Sequence, residues 1–362
     1  MKLHLLFIGN KFIYNHSLRE YVIRQIEKKT DFIDSVSYFK ESDNSLFLYL
    51  EQELNSSNKL IVVTTKRLFS TIGKLICTAT SDNQILKDGI LIPSKCLVFE
   101  GGSYVVKHNG SIANILQVDE MQKFPEILLS FEDSRATLHL FEEDKESAIA
   151  LLSPISQTYD VKLDMIKLID GWLRVEIRSK KHGNISKFIA ASKQLLPKKV
   201  IGATSIASYI IEKLFQKDKK ITFAESCTGG LLSYYFTKNN GSSKIFDGSL
   251  ITYSNALKEN WLGVDGTTLE EYGAVSDEVV SEMSAGALNV SAADYAISIS
   301  GIAGDGGGTE FKPVGTVHIG VRSKTKHSEI EINLDGDRNY IQEQSVLFAI
   351  KMLILLDKET FF

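Results

Sequence analysis

The sequence predicts a multi-domain α/β protein with three parts. Its 362 residues are more than one domain usually contains. Short apolar runs typical of buried strands alternate with runs whose apolar residues recur at helical spacing. Glycine is concentrated toward the C-terminus, where 16 of the 25 glycines lie within residues 221–362. We therefore expect an α/β sandwich over 1–156, a small α+β linker domain over 157–199 and a glycine-rich α/β domain over 200–362.

The composition excludes several classes of protein. Lys plus Arg is 41 against 45 for Asp plus Glu, a net charge of -4, whereas a nucleic-acid-binding surface is basic. Cys77, Cys96 and Cys227 are odd in number and form no C-x-x-C pair, which argues against a disulfide framework and a zinc cluster. No run reaches the ~18 apolar residues of a membrane helix, and the first eight residues are too few for a signal-peptide core. We expect a cytoplasmic protein with no membrane partner and no direct contact with nucleic acid.

Strands and helices alternate in the first part. Residues 3–8 and 60–63 are apolar runs that predict buried strands, and residues 18–28 carry apolar side chains at helical spacing. Residues 97–99 and 104–106, joined by a Glu-Gly-Gly-Ser turn, predict a hairpin. This alternation indicates an α/β sandwich.

The linker domain is predicted from a strand, a turn and a helix. Residues 172–178 alternate with period two, which predicts a half-exposed strand, and residues 185–196 have one apolar face. The break between them, residues 180–184, reads Lys-Lys-His-Gly-Asn, and either contacts a phosphate or is a solvated turn. Residues 134–152 are compatible with either a helix or extended chain.

The last part is predicted to alternate strands with helices around glycine-rich turns. Ser276 is typical of an N-cap for the helix that follows it. The predicted strands are residues 221–224, 248–253, 295–300 and 315–321, and the predicted helices are residues 205–215, 231–236, 258–262, 277–288 and 340–356.

A polar turn between a strand and a helix is the first candidate site. Residues 224–230 read Ala-Glu-Ser-Cys-Thr-Gly-Gly. Free N–H groups at a helix start suit an oxyanion formed when Ser226 attacks a carbonyl, and they equally suit an anion bound without chemistry. Cys227 is a rival nucleophile, although a cysteine at this place in a turn is more often packed inward.

Tyr253 and Lys258 form the second candidate cluster, where a strand ends and a helix begins. A partly desolvated lysine amine has a lowered pKa and can serve as the base for a serine. Tyr253 is placed to donate or relay a proton. The alternative is an ordinary surface lysine on a helix.

Two further segments point to ligand binding. Residues 300–309 hold five glycines within eight positions, and the segment either lines a ligand with its main chain or is a flexible loop. Arg338 begins the final helix, where a cation opposes the helix dipole, so it either contacts a phosphate or pairs with Asp335 or Asp337. Asp305 has no second carboxylate or histidine nearby in sequence, and no set of residues has zinc spacing. His318, within a predicted strand, is interpreted as a core or edge histidine.

Together these segments, in this order, resemble the CinA family, whose C-terminal domain is a nicotinamide-nucleotide amidase with an α/β/α fold. The match covers the last 142 residues, and the small unit before it resembles the KH-like linker domain of the same family. The matching segments are residues 224–230, 252–255, 273–276, 300–304, 312–317 and 336–338.

The resemblance implies a function and a set of roles. It implies deamidation of nicotinamide mononucleotide to nicotinic acid mononucleotide and ammonia, in pyridine-nucleotide salvage, by a linear-amide hydrolase that needs no metal or cofactor. Ser226 is then the nucleophile or the group that activates water, Lys258 the base and Tyr253 its neighbour. It also implies a homodimer. The implied substrate-binding residues are Thr228, Gly229, Gly230, Gly304, Gly306 and Arg338.

The sequence departs from the family in two places. Asp305 stands where the family usually has proline, which should loosen the loop. The first domain occupies the place of the family's molybdopterin-binding-like domain, which in some members hydrolyses ADP-ribose, but Lys66–Ser70 and Gln117–Met121 replace its phosphate and metal segments. We therefore expect a degenerate domain that keeps its fold without pyrophosphatase activity.

A second hypothesis comes from a different class. Some family members are linked to competence and to DNA damage, so the chain is alternatively a nucleotide-sensing or interaction protein without catalysis. Binding of nicotinamide mononucleotide without product formation would favour that alternative.

Overall fold

The computed structural model describes residues 1–30, 32–131, 135–179, 182–304 and 306–362. They fall into two units, residues 1–133 and residues 134–362. The mixed α/β, multi-domain architecture predicted from the sequence is confirmed, with several separate sheets. None of the helices in the described residues has both the length and the apolar character needed to cross a bilayer.

The first unit is built around a six-stranded sheet and a separate hairpin. The sheet has the order β2-β1-β3-β8-β7-β6, in which β2, β1, β3 and β8 are parallel, and β4 pairs with β5. Its elements are β1 (Leu3–Ile8), α1 (Asn10–Tyr14), α2 (His16–Glu27), β2 (Ser35–Phe39), α3 (Leu46–Leu54), β3 (Lys59–Thr64), α4 (Lys66–Thr80), β4 (Gln84–Lys87), β5 (Ile90–Pro93), β6 (Val98–Glu100), β7 (Ser103–His108) and β8 (Ser111–Gln117).

Helices cover both faces of this sheet, as its apolar strands require. Successive side chains of a strand point to opposite faces. Accordingly Leu6 and Ile8 join a core with α3 and α4, whereas Leu5 and Phe7 join a second core with α2. The predicted strands at 3–8 and 60–63, the helix at 18–28 and the hairpin at 97–106 are confirmed.

The second unit contains two sheets. A four-stranded antiparallel sheet has the order β10-β11-β9-β12, and a five-stranded sheet has the order β14-β13-β15-β16-β17. The elements are β9 (Arg135–Phe141), α5 (Lys145–Thr158), β10 (Val161–Ile169), β11 (Trp172–Ser179), α6 (Ile185–Leu195), β12 (Val200–Gly202), α7 (Ile206–Gln216), β13 (Ile221–Glu225), α8 (Leu231–Thr237), β14 (Phe246–Ile251), α9 (Asn255–Leu262), α10 (Gly266–Tyr272), α11 (Asp277–Val290), β15 (Tyr295–Gly301), β16 (Thr316–Ser323), β17 (His327–Asn333), α12 (Arg338–Leu356) and α13 (Lys358–Phe361).

The segment over 134–152, which the sequence left undecided, contains both a strand and the start of a helix. The strand β9 pairs along its length with β11, for example Leu138 with Val175. This pairing joins segments more than 30 residues apart, which local periodicity does not report. The boundary expected after residue 156 therefore falls near the end of α5, inside the second unit. In the break at 180–184, residues 180 and 181 lie outside the described residues.

The five-stranded sheet is covered on both faces. On one face, Ala224 and Ala296 pack against α9, α10 and α11. On the other face, Phe223 and Ile297 share a core with α7, α8 and α12, and this core continues to Trp172 of the four-stranded sheet. The strands β14, β13 and β15 are parallel, whereas β16 runs antiparallel to both of its neighbours, β15 and β17. The three parallel strands therefore end at one edge.

A buried histidine makes the second unit sensitive to acid. Nε1 of Trp172 donates to Nδ1 of His139 at 3.0 Å, and both residues are buried. Burial, with Arg174 nearby, lowers the pKa of His139 to about 4. In the unfolded chain the imidazole has a pKa near ~6.5, so between these values the unfolded state binds more protons.

We therefore expect the free energy of unfolding of this unit to fall as pH drops from about 6.5 to about 4, by up to ~3 kcal/mol from this group. Both tryptophans, Trp172 and Trp261, lie in the second unit, so urea unfolding followed by tryptophan fluorescence measures it. His139→Gln should reduce the pH dependence, whereas the exposed His327→Gln serves as the control. An unchanged pH dependence in His139→Gln would contradict the assignment.

Candidate active site

The candidate site lies where the parallel strands of the five-stranded sheet end. The chain leaves β13 toward β14 on one side and leaves β15 toward β16 on the other. A reversal of this kind leaves a crevice at the carboxyl ends of the strands, which is where α/β sheets bind ligands. Ser226 follows β13 directly, Thr252 follows β14, and Gly304 lies in the loop after β15.

Ser226 and Lys258 meet at this edge. Nζ of Lys258 lies 3.1 Å from Oγ of Ser226. Lys258 is 1% exposed and Ser226 is 7% exposed. Ser254 caps α9 by accepting a hydrogen bond from the N–H of Leu257, which starts the helix so that Lys258 and Leu262 lie on its buried face. Of the two interpretations of Lys258, the surface lysine is wrong.

The lysine amine is held by main-chain carbonyls. It donates to the carbonyl of Thr252 at 2.9 Å and to that of Tyr253 at 3.4 Å. Within the part of the chain that the structure describes, it forms no ion pair with a carboxylate. Burial lowers the pKa of Lys258, because desolvation disfavours the charged ammonium. With two N–H groups directed at carbonyls, a neutral amine has its lone pair left for the serine hydroxyl.

The start of α8 differs from the sequence expectation. The expectation that its N–H groups are free for an anion is wrong, because the side chain of Glu225 occupies them. Oε2 of Glu225 accepts from the N–H of Gly230 at 3.1 Å and from Oγ1 of Thr228 at 2.8 Å. The N–H groups of Leu232 and Ser233 also donate to this carboxylate. The Thr228 hydroxyl and the Gly230 N–H are therefore not available to a substrate in this arrangement.

Tyr253 and Arg338 form a second group at the mouth of the site. Tyr253 is 58% exposed, and its hydroxyl accepts a hydrogen bond from Nη1 of Arg338 at 3.4 Å. The guanidinium lies against Gly304, where a Cβ would come within 2.8 Å of Nε and Nη2. Gly304 therefore makes room for Arg338. Asp337 caps α12 by accepting from the N–H of Tyr340, so it orients the turn that carries Arg338.

The remaining glycines differ in their surroundings. Apart from its chain neighbours, a Cβ placed on Gly229 or Gly306 would meet no atom of the described residues within 4 Å, so both face open space there. Gly229 also has a φ of +57°, which favours glycine. The loop after β15 is anchored by Lys312, whose Nζ donates to the carbonyls of Tyr272 and Val275. Asp305, expected to loosen this loop, lies outside the described residues.

Three further residues, Cys227, His318 and Gln342, are held by contacts within the protein. Cys227 is buried, and burial raises the pKa of its thiol to about 12, so the inward-packed interpretation is confirmed. His318 is buried, with Nδ1 2.7 Å from Oδ1 of Asp277, as expected of a core histidine. Sequence reasoning missed Gln342, whose Nε2 donates to the Cys227 carbonyl at 2.6 Å and ties α12 to the turn that contains Ser226. Gln342 lies among consecutive polar residues, Gln-Glu-Gln, in α12, so no sequence signal set it apart.

The first unit has an open cavity of about 480 Å³ at the carboxyl edge of its own parallel strands. Its lining is Lys11, Lys66, Arg67, Asp119, Glu120 and Gln122. Oδ2 of Asp119 accepts from the N–H of Lys66 at 2.7 Å, the first residue of α4, and Nζ of Lys11 lies 3.3 Å from Oδ1. A carboxylate of the chain thus occupies the helix start. Across the described residues, no three His, Cys, Asp or Glu side chains are grouped as metal ligands.

Comparison with known proteins places part of this chain in a family. Residues 203–356 match the family model of the CinA C-terminal domain. A CinA-like protein of Fervidobacterium nodosum is 45% identical over 144 residues, which are 40% of this chain and 35% of the relative. A CinA-like protein of Prochlorococcus marinus (strain MIT 9215) is 39% identical over 195 residues, 51% of this chain and 46% of the relative. Each match spans less than half of the relative's length.

Solved structures include similar chains. The competence/damage inducible protein CihA from Agrobacterium tumefaciens has 38% sequence identity, and the match covers 42% of this chain and 93% of that chain with a TM-score of 0.41. The family model spans the five-stranded sheet, Ser226, Lys258 and Arg338. Residues 203–356 are therefore a domain of the CinA family, the CinA C-terminal domain, and this domain carries the candidate site.

Proposed function

We propose that this chain hydrolyses the carboxamide of nicotinamide mononucleotide, releasing ammonia and nicotinic acid mononucleotide. The observation that carries the proposal is the contact of 3.1 Å between the Ser226 hydroxyl and a buried lysine amine. Amide hydrolysis needs a nucleophile and a base within hydrogen-bond reach, and a lysine with a lowered pKa supplies such a base. The identity of the substrate rests on the resemblance to the family amidases.

The chemistry follows from the two groups. Lys258 takes the hydroxyl proton as Oγ of Ser226 bonds to the carboxamide carbon, and the carbonyl electron pair moves to oxygen. The resulting ammonium gives its proton to the amide nitrogen, the carbon–nitrogen bond breaks, and ammonia leaves. Water, deprotonated by the same amine, then attacks the ester carbon; the bond to Oγ of Ser226 breaks, the ammonium returns its proton to Oγ, and the carboxylate leaves. In the alternative, Ser226 positions water for direct attack.

The oxyanion and the phosphate need different donors. Within the described residues, the main-chain N–H groups of Cys227 and Thr228 donate to no other residue, and they directly follow Ser226. We assign the oxyanion to them. Since Glu225 fills the start of α8, the phosphate is assigned to Arg338, whose guanidinium donates to a neutral phenol and, among the described residues, pairs with no carboxylate. By family resemblance we also propose a homodimer.

For the first unit we propose a molybdopterin-binding-like fold without pyrophosphatase activity. Asp119 stands where an anionic ligand would meet the first N–H of α4, and its charge opposes a phosphate. The four-stranded sheet, with α5 and α6, is proposed to be the KH-like linker domain. The purpose of the first unit in this protein is left open.

Ser226→Ala and Lys258→Ala should each lower ammonia release from nicotinamide mononucleotide by roughly two decades or more, because a nucleophile and its base act as a unit. Glutamate-dehydrogenase-coupled detection measures the ammonia, and a chelator should not change the rate. Lys324→Ala, an exposed lysine paired with Asp294, is the matched control. Full activity in Ser226→Ala would refute the mechanism, and calorimetric binding without turnover in the wild type would favour the sensor.

The pH dependence of the proposed reaction follows from the lowered pKa of Lys258. The neutral amine is the active form, so kcat/KM should rise with pH and level off below the ordinary lysine range near ~10.4, because burial lowers the pKa of Lys258. A profile from pH 5.5 to 10.5 tests this. A rate that still rises tenfold per pH unit at pH 10 would contradict it.

The full chain, supplied with Mg²⁺ or Mn²⁺ and ADP-ribose, should release no AMP, because the chain's own Asp119 occupies the phosphate position. Chromatographic separation of the nucleotides measures the product. An authentic ADP-ribose pyrophosphatase in the same buffer controls for detection. AMP release by the chain above that of a heat-denatured sample would overturn the loss of activity.

A further inference from the structure

We propose that Glu225, the residue immediately before Ser226, is a positioning residue that holds the serine hydroxyl against the Lys258 amine. The inference rests on the proposed function, since it concerns the same pair of residues. Sequence reasoning assigned Glu225 no role. It acts through the segments that carry the pair, and not through contact with substrate.

The carboxylate of Glu225 is one of the most fully bonded groups in the site. Glu225 is 0% exposed, and both of its oxygens accept backbone N–H groups, the pattern of an ionised carboxylate. Within the described residues no lysine or arginine pairs with it, so its charge is balanced by donors at a helix start. Its six donors are the N–H groups of Gly230, Leu232 and Ser233 and the hydroxyls of Thr228, Ser233 and Ser249.

These donors belong to different segments, so the carboxylate ties them to the end of β13. Thr228 belongs to the turn that follows Ser226, and Ser233 belongs to α8. Ser249 belongs to β14, which leads to Thr252. One buried charge thus joins the nucleophile turn, the helix behind it and the neighbouring strand.

The same residue connects to the lysine through its main chain. The carbonyl of Glu225 accepts from the N–H of Thr252 at 2.9 Å, and the carbonyl of Thr252 accepts from Nζ of Lys258, also at 2.9 Å. The N–H of Ser226 donates to the carbonyl of Ile299 at 2.9 Å, which fixes the other side of the turn. The position of Glu225 therefore sets both ends of the Ser226–Lys258 contact.

Glu225→Gln is the sharpest variant, because it keeps the size of the side chain while replacing one acceptor oxygen with an NH₂ group. Three backbone N–H groups converge on the carboxylate, so the amide must face at least one of them with its own hydrogens, and the turn must move. A displacement of about 1 Å in such a site costs roughly a hundredfold in rate. Glu225→Asp keeps the charge and should retain more of the rate.

The test measures the reactivity of Ser226 itself. The full chain is treated with phenylmethanesulfonyl fluoride, which reports activation of a serine without needing the substrate, and labelling of Ser226 is followed by mass spectrometry. We expect Glu225→Gln to label about a hundredfold more slowly than wild type, with kcat lowered in parallel and KM changed less than about threefold. Asp357→Asn is the matched control, since Asp357 accepts from Tyr295 and Thr360 at the opposite end of β15.

The outcomes separate the inference from the proposed function. If folded Glu225→Gln labels as fast as wild type, the positioning role is wrong while the pair stands. If wild type labels no faster than Lys258→Ala, the lysine does not activate the serine, and the proposed function and the inference built on it both fail. If Glu225→Gln does not fold, Ser233→Ala removes one donor of the same carboxylate and should slow labelling about tenfold; wild-type labelling in that variant overturns the role.

Discussion

The site depends on a lysine side chain that is buried without a carboxylate partner among the described residues. Desolvation of an ammonium is costly unless it is paired, and a buried lysine responds by losing its proton more readily. Here the carbonyls of Thr252 and Tyr253 take two of its hydrogens and Ser226 is its third neighbour. The neighbour of Lys258 is a hydroxyl and not a carboxylate. Because the lowered pKa favours the neutral amine, Lys258 can accept the proton of Ser226.

The fold supplies this burial by bringing α9 close to the sheet. A Cβ on Gly286 of α11 would lie 1.9 Å from the carbonyl oxygen of Leu262, the last residue of α9, so only glycine permits this approach. Likewise, a Cβ on Gly320 of β16 would lie 2.8 Å from the carbonyl of Val280, which lets α11 approach the sheet. These two close contacts seat α9 at the edge where β13 and β14 end. With α9 in this position, the side chain of Lys258 is buried.

The sequence predicted the strands and helices that carry the site better than it predicted the geometry within it. Apolar runs and helical spacing identified β13, β15 and α11, because burial on known faces leaves a periodic pattern. The burial of Lys258 had no such signal, since α9 reads Asn-Ala-Leu-Lys-Glu-Asn-Trp-Leu and shows only a weak apolar face. The role of Glu225 was not predicted, because the N–H groups at the start of α8 were assigned to a bound anion, whereas the carboxylate of Glu225 accepts them. Side-chain contacts between distant segments, such as Arg338 with Tyr253, depend on tertiary packing that local pattern does not encode.

Each unit has charged side chains at the carboxyl edge of its own parallel strands, but the two units differ in how these charges are paired. In the first unit, charges at the edge are paired with one another: Lys11 with Asp119, and Arg67 with Glu41. In the second unit, the carboxylate of Glu225 accepts N–H groups at the start of α8. The cations beside the crevice, Lys258 and Arg338, therefore face neutral groups. Cations that neutralise carboxylates of the same chain have little attraction left for a ligand, whereas a guanidinium that faces a phenol keeps most of its attraction for an anion. On this physical ground we propose that the second unit carries the function.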